Sequence, residues 1–231
     1  GELAPIGGLH AMEELVTKLG ISPLQKAIRA GNTSRALALI HGGADVDETE
    51  KRWGCTAMHY AAMYNNVEVA TQLLEVGGAN VNQQDDSGWT PLMYAVREES
   101  VDIVDFLLSN EASLLCCDKL MGDSALHLAV KNSNSSIVYQ LLLHRENILD
   151  ESKELEDWVN EKRHTDGNSP LMLAAMMNNL CAVRQIVQAG AEVNQTNIYG
   201  LRAIDFSVRG SGCSKDLVFK YLLACGSEAA V

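Results

Sequence analysis

Aromatic side chains are scarce in this sequence, with Phe, Trp and Tyr together making up 5% of its 231 residues. Sheets draw on aromatic and β-branched residues, so this scarcity, beside abundant Leu and Ala, points to a helical protein. Basic residues are also few: 18 Lys and Arg against 30 Asp and Glu give a net charge of −12. No basic stripe is present, which argues against a nucleic-acid partner and favours a neutral or basic protein one. No apolar run approaches the roughly 18 residues that a membrane-crossing helix needs, so no membrane insertion is expected. The opening GELAPIGG has no charged leader character, and residues 1–8 read as a tail or expression scar. Also missing are a phosphate-cradling glycine loop, a GxSxG elbow, a CxxC pair and any Cys/His cluster. The expectation is no cofactor, no metal and no catalytic residue. The six cysteines (Cys55, Cys116, Cys117, Cys181, Cys213, Cys225) then read as reduced thiols in a cytoplasmic or nuclear protein.

What is present is a repeat. Aligned on a glycine, the chain reads GISPLQKAIRAGN (20–32), GCTAMHYAAMYNN (54–66), GWTPLMYAVREES (88–100), GDSALHLAVKNSN (122–134), GNSPLMLAAMMNN (167–179) and GLRAIDFSVRG (200–210). The glycines at 20, 54, 88, 122, 167 and 200 are spaced by 34, 34, 34, 45 and 33 residues. Each unit carries a second apolar run ending in a doublet such as Leu73-Leu74 or Leu141-Leu142. Four units close with a turn and a short extended piece: GGADVD, GGANVN, EASLL and GAEVN. Gly supplies the positive φ of a tight turn, Ser or Thr caps the next helix, and Pro at its first position loses no hydrogen bond. The small Ala face lets helices of adjacent units pack closely. One such unit cannot bury its apolar face alone, so the units must stack.

A period near 33, the TPLH-like start and the G-A-x-V-N ending resemble ankyrin repeats. The resemblance runs from about Gly20 to Ser227. It implies an all-α solenoid of six stacked repeats, each a β-turn finger followed by two antiparallel helices. The boundaries fall at about 20–53, 54–87, 88–121, 122–166, 167–199 and 200–227, within one domain spanning 9–231. The family's histidine stands only at His59 and His127, where a structural role is expected. It is replaced by Gln25, Met93, Met172 and Asp205, whose turns are expected to lose a side-chain hydrogen bond. Residues 9–19 place Met12, Leu15, Val16 and Leu19 at helical spacing, as a capping helix would. The sixth repeat is irregular and no polar cap follows it, which suggests a fragment of something longer. The 45-residue spacing holds an insertion at 148–163, acidic at 150–157, with Leu155 and Trp158 as a possible secondary contact for a partner.

In proteins resembling this one, partners dock on the concave side, formed by finger tips and the exposed face of each first helix. On the fingers this points to Arg52, Trp53, Asp86, Trp89, Met121, Asp123 and Tyr199, with Cys55, Leu120 and Leu201 beside them. At the ends of first helices it points to Met63, Tyr64, Arg97, Glu98, Met176 and Met177, with Lys131 equivalent and Tyr60 and Tyr94 as a stacked pair. Trp and Tyr anchor interfaces and Met adapts to irregular ones. The expected function is a monomeric, non-catalytic scaffold holding a basic and apolar protein segment. One alternative is a regulatory or substrate-adaptor portion of a larger protein, such as a ubiquitin-ligase adaptor, acyltransferase, channel, transcription inhibitor or bacterial effector. A second is a cysteine enzyme using Cys116 or Cys117 with His127 and Asp118 or Asp123. Asn82 and Asn194 resemble the sites of asparaginyl hydroxylation in such proteins.

Overall fold

The structure, a computed structural model, describes residues 20–147, 158–208 and 213–228. The proposed tail, the capping helix at 9–19 and Leu155 lie outside the described residues. Twelve α-helices and one 3-10 turn are present among them, and the only β-pairing described is an isolated bridge between Cys117 and Ser124. Packing divides the chain into two compact units, Gly1–Pro91 and Leu92–Val231.

The first unit holds α1 (Pro23–Arg29), α2 (Thr33–His41), α3 (Ala57–Met63) and α4 (Val67–Glu75). Consecutive helices pair, α1 with α2 and α3 with α4, while α1 packs on α3 and α2 on α4. Ser22 caps α1 by accepting from the Gln25 amide at 3.2 Å, with Pro23 at the first helical position. The turn within each pair needs one left-handed residue, Gly31 or Asn65, followed by an asparagine cap. Asn32 accepts from Arg35 N at 3.0 Å and Asn66 from Val69 N at 3.0 Å. Asn66 also donates to Thr33 Oγ1 at 3.1 Å, tying the two pairs together. Buried small residues line the first helices (Ala27, Ala61, Ala62), and Ile40, Val69 and Leu73 close the core from the second.

Helix α5 (Pro91–Arg97) opens at the last residue of the first unit, and α6 (Val101–Ser109) follows it. The second unit continues with α7 (Ala125–Lys131), α8 (Ser135–Asn147), α9 (Pro170–Met176), α10 (Leu180–Gln188), α11 (Ala203–Val208) and α12 (Cys213–Glu228). First helices α7, α9 and α11 pack in series, as do second helices α6, α8, α10 and α12. Helix α8 runs to 13 residues against 9 in α6, and the described end of the insertion includes the turn Trp158–Asn160 against α9. Asn134 and Asn179 cap α8 and α10 as Asn66 caps α4.

Candidate protein interface

Between one second helix and the next first helix the chain makes a hairpin finger. Its base is pinched by paired backbone bonds: Glu50 N to Cys55 O, Asp85 N to Trp89 O, Asp118 N to Asp123 O, Arg163 N to Asn168 O and Asn197 N to Leu201 O, all 2.9–3.1 Å. Inside the tip sits a buried acceptor that takes backbone N–H groups left over by the turn. Glu50 accepts from Arg52 N (2.6 Å) and Trp53 N (2.7 Å). Asp85 accepts from Ser87 N and Trp89 N, Asp118 from Leu120 N and Met121 N, and Asn197 from Tyr199 N and Leu201 N. A buried carboxylate is costly unless it is so satisfied. In the fourth finger Arg163 replaces the acceptor, and Asp166 takes over by accepting from Asn168 N at 3.0 Å. Sequence reasoning missed this set. Its signal was an acid or amide three or four residues before the glycine.

Within a unit the fingers also join one another. Asp86 N donates to Trp53 O at 2.8 Å in the first unit. In the second, His164 Nε2 lies 3.2 Å from Leu120 O, Thr165 Oγ1 donates to Met121 O at 3.3 Å, and Ile198 N donates to Asp166 O at 3.3 Å. Gly122 permits this approach: a Cβ there would stand 2.8 Å from His164 N, and its φ is +79°.

The histidines lock fingers to helices. Thr56 N donates to His59 Nδ1 at 3.0 Å, so the other nitrogen carries the proton and donates to Trp89 O at 3.1 Å. His127 repeats this, accepting from Ser124 N at 3.2 Å and donating from Nε2 to Asn168 O at 3.3 Å. Burial holds both below the usual histidine pKa, His127 at about 4. The expected loss at Gln25 is not found. Gln25 Nε2 donates to Cys55 O at 3.1 Å and Oε1 accepts from Ser22 N at 2.9 Å, because an amide can match both ring nitrogens. Asp205 likewise keeps a bond, accepting from Arg202 N at 2.8 Å.

In the first unit Trp53 is 51% and Tyr64 50% exposed. Arg52, also exposed, lays its guanidinium 4.8 Å above the Trp53 ring. Asp86 is exposed, and Met63 and Trp89 are half-buried. In the second unit Leu120, Met176, Met177 and Tyr199 are exposed, as are Lys131 and the ion-paired Arg97 and Glu98, while Met121 and Leu201 are half-buried.

Four residues read as displayed are not. Cys55 is buried and donates to Asp85 Oδ2 at 3.9 Å, beneath the finger. Tyr60 and Tyr94 are buried, and burial with the Glu50 carboxylate pushes the Tyr60 hydroxyl up to about 12. Asp123 is 2% exposed, held 2.8 Å from Lys131 Nζ and 3.5 Å from Arg163 Nε, since two cations converge on it. Trp158, the possible secondary contact, is also buried, packed with its turn against α9.

The arrangement around Cys117 is the reverse of thiolate activation. Burial first, then the Glu161 carboxylate beside it, push its thiol pKa up. Both nitrogens of His127 are engaged in the lock described above. Asn82 is half-buried and Asn194 exposed.

Repeated helix pairs joined by capped, finger-linked hairpins match a known family: residues 8–85, 24–116 and 110–197 each fit the description "Ankyrin repeats (3 copies)". The chain belongs to the ankyrin-repeat family. The ankyrin repeat domain of Bcl-3, described as a unique member of the IkappaB protein family, superposes with a TM-score of 0.73 at 24% identity, covering 94% of this chain and 92% of that one. That likeness concerns the fold alone. The putative palmitoyltransferase ZDHHC13 of Danio rerio is 33% identical over 132 residues, 57% of this chain and 20% of its own length. The nuclear factor NF-kappa-B p105 subunit of Rattus norvegicus is 31% identical over 146 residues, 61% of this chain and 14% of its own length. The chain thus spans a fifth or less of these curated relatives. No described helix of this ankyrin-repeat chain is long and apolar enough to cross a membrane.

Proposed function

We propose that this ankyrin-repeat domain is a non-catalytic, monomeric interaction module that holds a protein segment against its finger tips and first-helix ends. The observation that carries this is Trp53, a half-exposed tryptophan on a tip whose backbone is fixed by Glu50 and by Asp86. A large apolar side chain displayed on a rigid mount loses little entropy on binding and makes an effective anchor. Tyr64, Met176, Met177 and Tyr199 are anchors of the same kind, and Arg52, Asp86, Arg97 and Glu98 set register. A standard interface would take about 800 Å² of this side.

In the first unit the exposed finger charges are Asp45, Asp47, Glu48 and Asp86 against Lys51 and Arg52. That excess of acid supports a basic and apolar partner segment there. The free thiols of Cys116, Cys117, Cys181 and Cys225 fit a reducing compartment, cytoplasmic or nuclear. A second reading, a regulatory or adaptor portion of a larger protein, is supported by relatives at least five times longer than their matched part.

The test is a pull-down from cell lysate with the wild type and a Trp53→Ala/Tyr64→Ala variant of matched circular dichroism. Partners lost with the fold intact support the finger surface. A variant that retains every wild-type partner contradicts it.

A further inference from the structure

The fingers of the second unit carry charge of the opposite sign from those of the first. Over 113–124, 158–169 and 192–202 the exposed charged residues are Lys119, Lys162 and Arg202 against Glu192, with His164 beside them. Most carboxylates of this region are covered or used internally, Glu161 among them, half-buried beside Cys117. Asp118 is buried under backbone N–H groups, Asp123 between Lys131 and Arg163, and Asp166 is half-buried on Asn168 and Arg163. Asp205, half-buried, shares Arg202 at 3.5 Å, and Glu192 is exposed only at the foot of the last finger. Lys162 spends one hydrogen on Thr196 O at 2.6 Å and keeps its charge at the surface.

Among these cations stand the most exposed apolar side chains of the described fingers: Leu120 (76%), Tyr199 (70%) and Ile198 (63%). They stand on the first and third of three linked tips, since Leu120 O meets His164 Nε2 and Asp166 O meets Ile198 N across the tip between them. Asp118 fixes the backbone under Leu120, and Asn197 that under Tyr199. Apolar tips on hydrogen-bonded mounts, edged by lysine and arginine in a chain of net charge −12, are a local exception that the total conceals.

We infer that the finger edge of the second unit binds a protein segment in which apolar side chains are flanked by carboxylates. This rests on the reading that partners dock on finger tips, and it adds the chemistry of the partner. A nucleic acid suits the edge less well. Phosphate-backbone binding draws on many cations at once, whereas the edge offers two lysines and a shared arginine around apolar tips, on a chain that repels polyanions as a whole.

The test is selection of short random displayed peptides on the whole chain. Selected peptides are then assayed against wild type, Leu120→Ser/Tyr199→Ser, Lys162→Glu and Trp53→Ala, each matched to wild type by circular dichroism. The expected result is a peptide class enriched in Asp and Glu beside apolar residues. That class should weaken about tenfold or more with the tip variant, weaken with Lys162→Glu, and be indifferent to Trp53→Ala. Tip-dependent peptides without acidic enrichment, or enriched in Lys and Arg, overturn this inference and leave finger docking standing. Peptides sensitive only to Trp53→Ala overturn it in the same way. Peptides indifferent to both sets of tips overturn finger docking as well. Equal competition by a single-stranded DNA oligonucleotide overturns it in favour of a general polyanion surface.

Discussion

His59 Nε2 donates to the backbone oxygen of Trp89 at 3.1 Å, so one buried imidazole spans from the start of α3 to the foot of the following finger. The same ring accepts from Thr56 N, satisfying a helix N-terminus with its other nitrogen. With the Thr56 hydroxyl, 2.9 Å from the same Nδ1, three polar groups depend on this buried ring. His59→Ala is expected to cost about 2–4 kcal/mol, from orphaned partners and a cavity together. His59→Gln should cost less than half of that, since Gln25 makes the equivalent pair of bonds in the preceding repeat. Urea unfolding of both variants checks this, and equal losses would contradict it.

Stability should fall in mild acid. Burial holds neutral His127 at a pKa of about 4, below its ordinary 6.5. Between those values the unfolded chain binds the extra proton, so folding weakens as pH drops from about 7 toward 4 and levels off below. The contribution of His127 is at most on the order of 3 kcal/mol, and His59, shifted in the same direction, adds to it. Unfolding midpoints from pH 7.5 to 4.5 should show that slope, and His127→Gln should flatten it.

Asp118 accepts from Leu120 N and Met121 N at 2.7 Å and from Asp123 N at 3.0 Å. Asp118→Ala should cost about 2–4 kcal/mol by stranding those donors. It should also speed hydrogen exchange at the Leu120 and Met121 amides well beyond the global change. Asp118→Asn should be milder, because Asn197 serves its own finger as an amide.

Gly122 and Gly43 share a φ of +79°, but only at Gly122 does an added Cβ meet anything, His164 Nδ1 at 2.5 Å and N at 2.8 Å. Replacing either with Ala strains the backbone by about 1 kcal/mol. Gly122→Ala should cost at least about 1 kcal/mol more and loosen the finger at His164. Equal costs, read by thermal unfolding, would remove finger–finger contact as the reason for this glycine.

The helices were legible because period, cap and small-residue face repeat: Ser22-Pro23 and Ser169-Pro170 open helices as their spacing implies. Exposure at the tips was legible only where no partner reaches in, as at Trp53 and Tyr199. Asp123 and Trp158 defeated it because their burial depends on Arg163, at the far end of the insertion, and on α9, in the next repeat. Gln25 was misjudged by residue type, although an amide can donate and accept as an imidazole does. The buried acceptors Glu50, Asp85, Asp118 and Asn197 stood at fixed offsets from the glycine, but their charge reads as surface until the finger is folded around it.

Displayed side chains on finger tips and first-helix ends are where we propose that a partner binds. The most direct measurement is calorimetric titration of a partner captured by the wild type against the wild type and Trp53→Ala/Tyr64→Ala. A loss of about tenfold or more in affinity at unchanged unfolding midpoint is the predicted result. Unchanged affinity with both side chains removed would rule out this surface as the binding site.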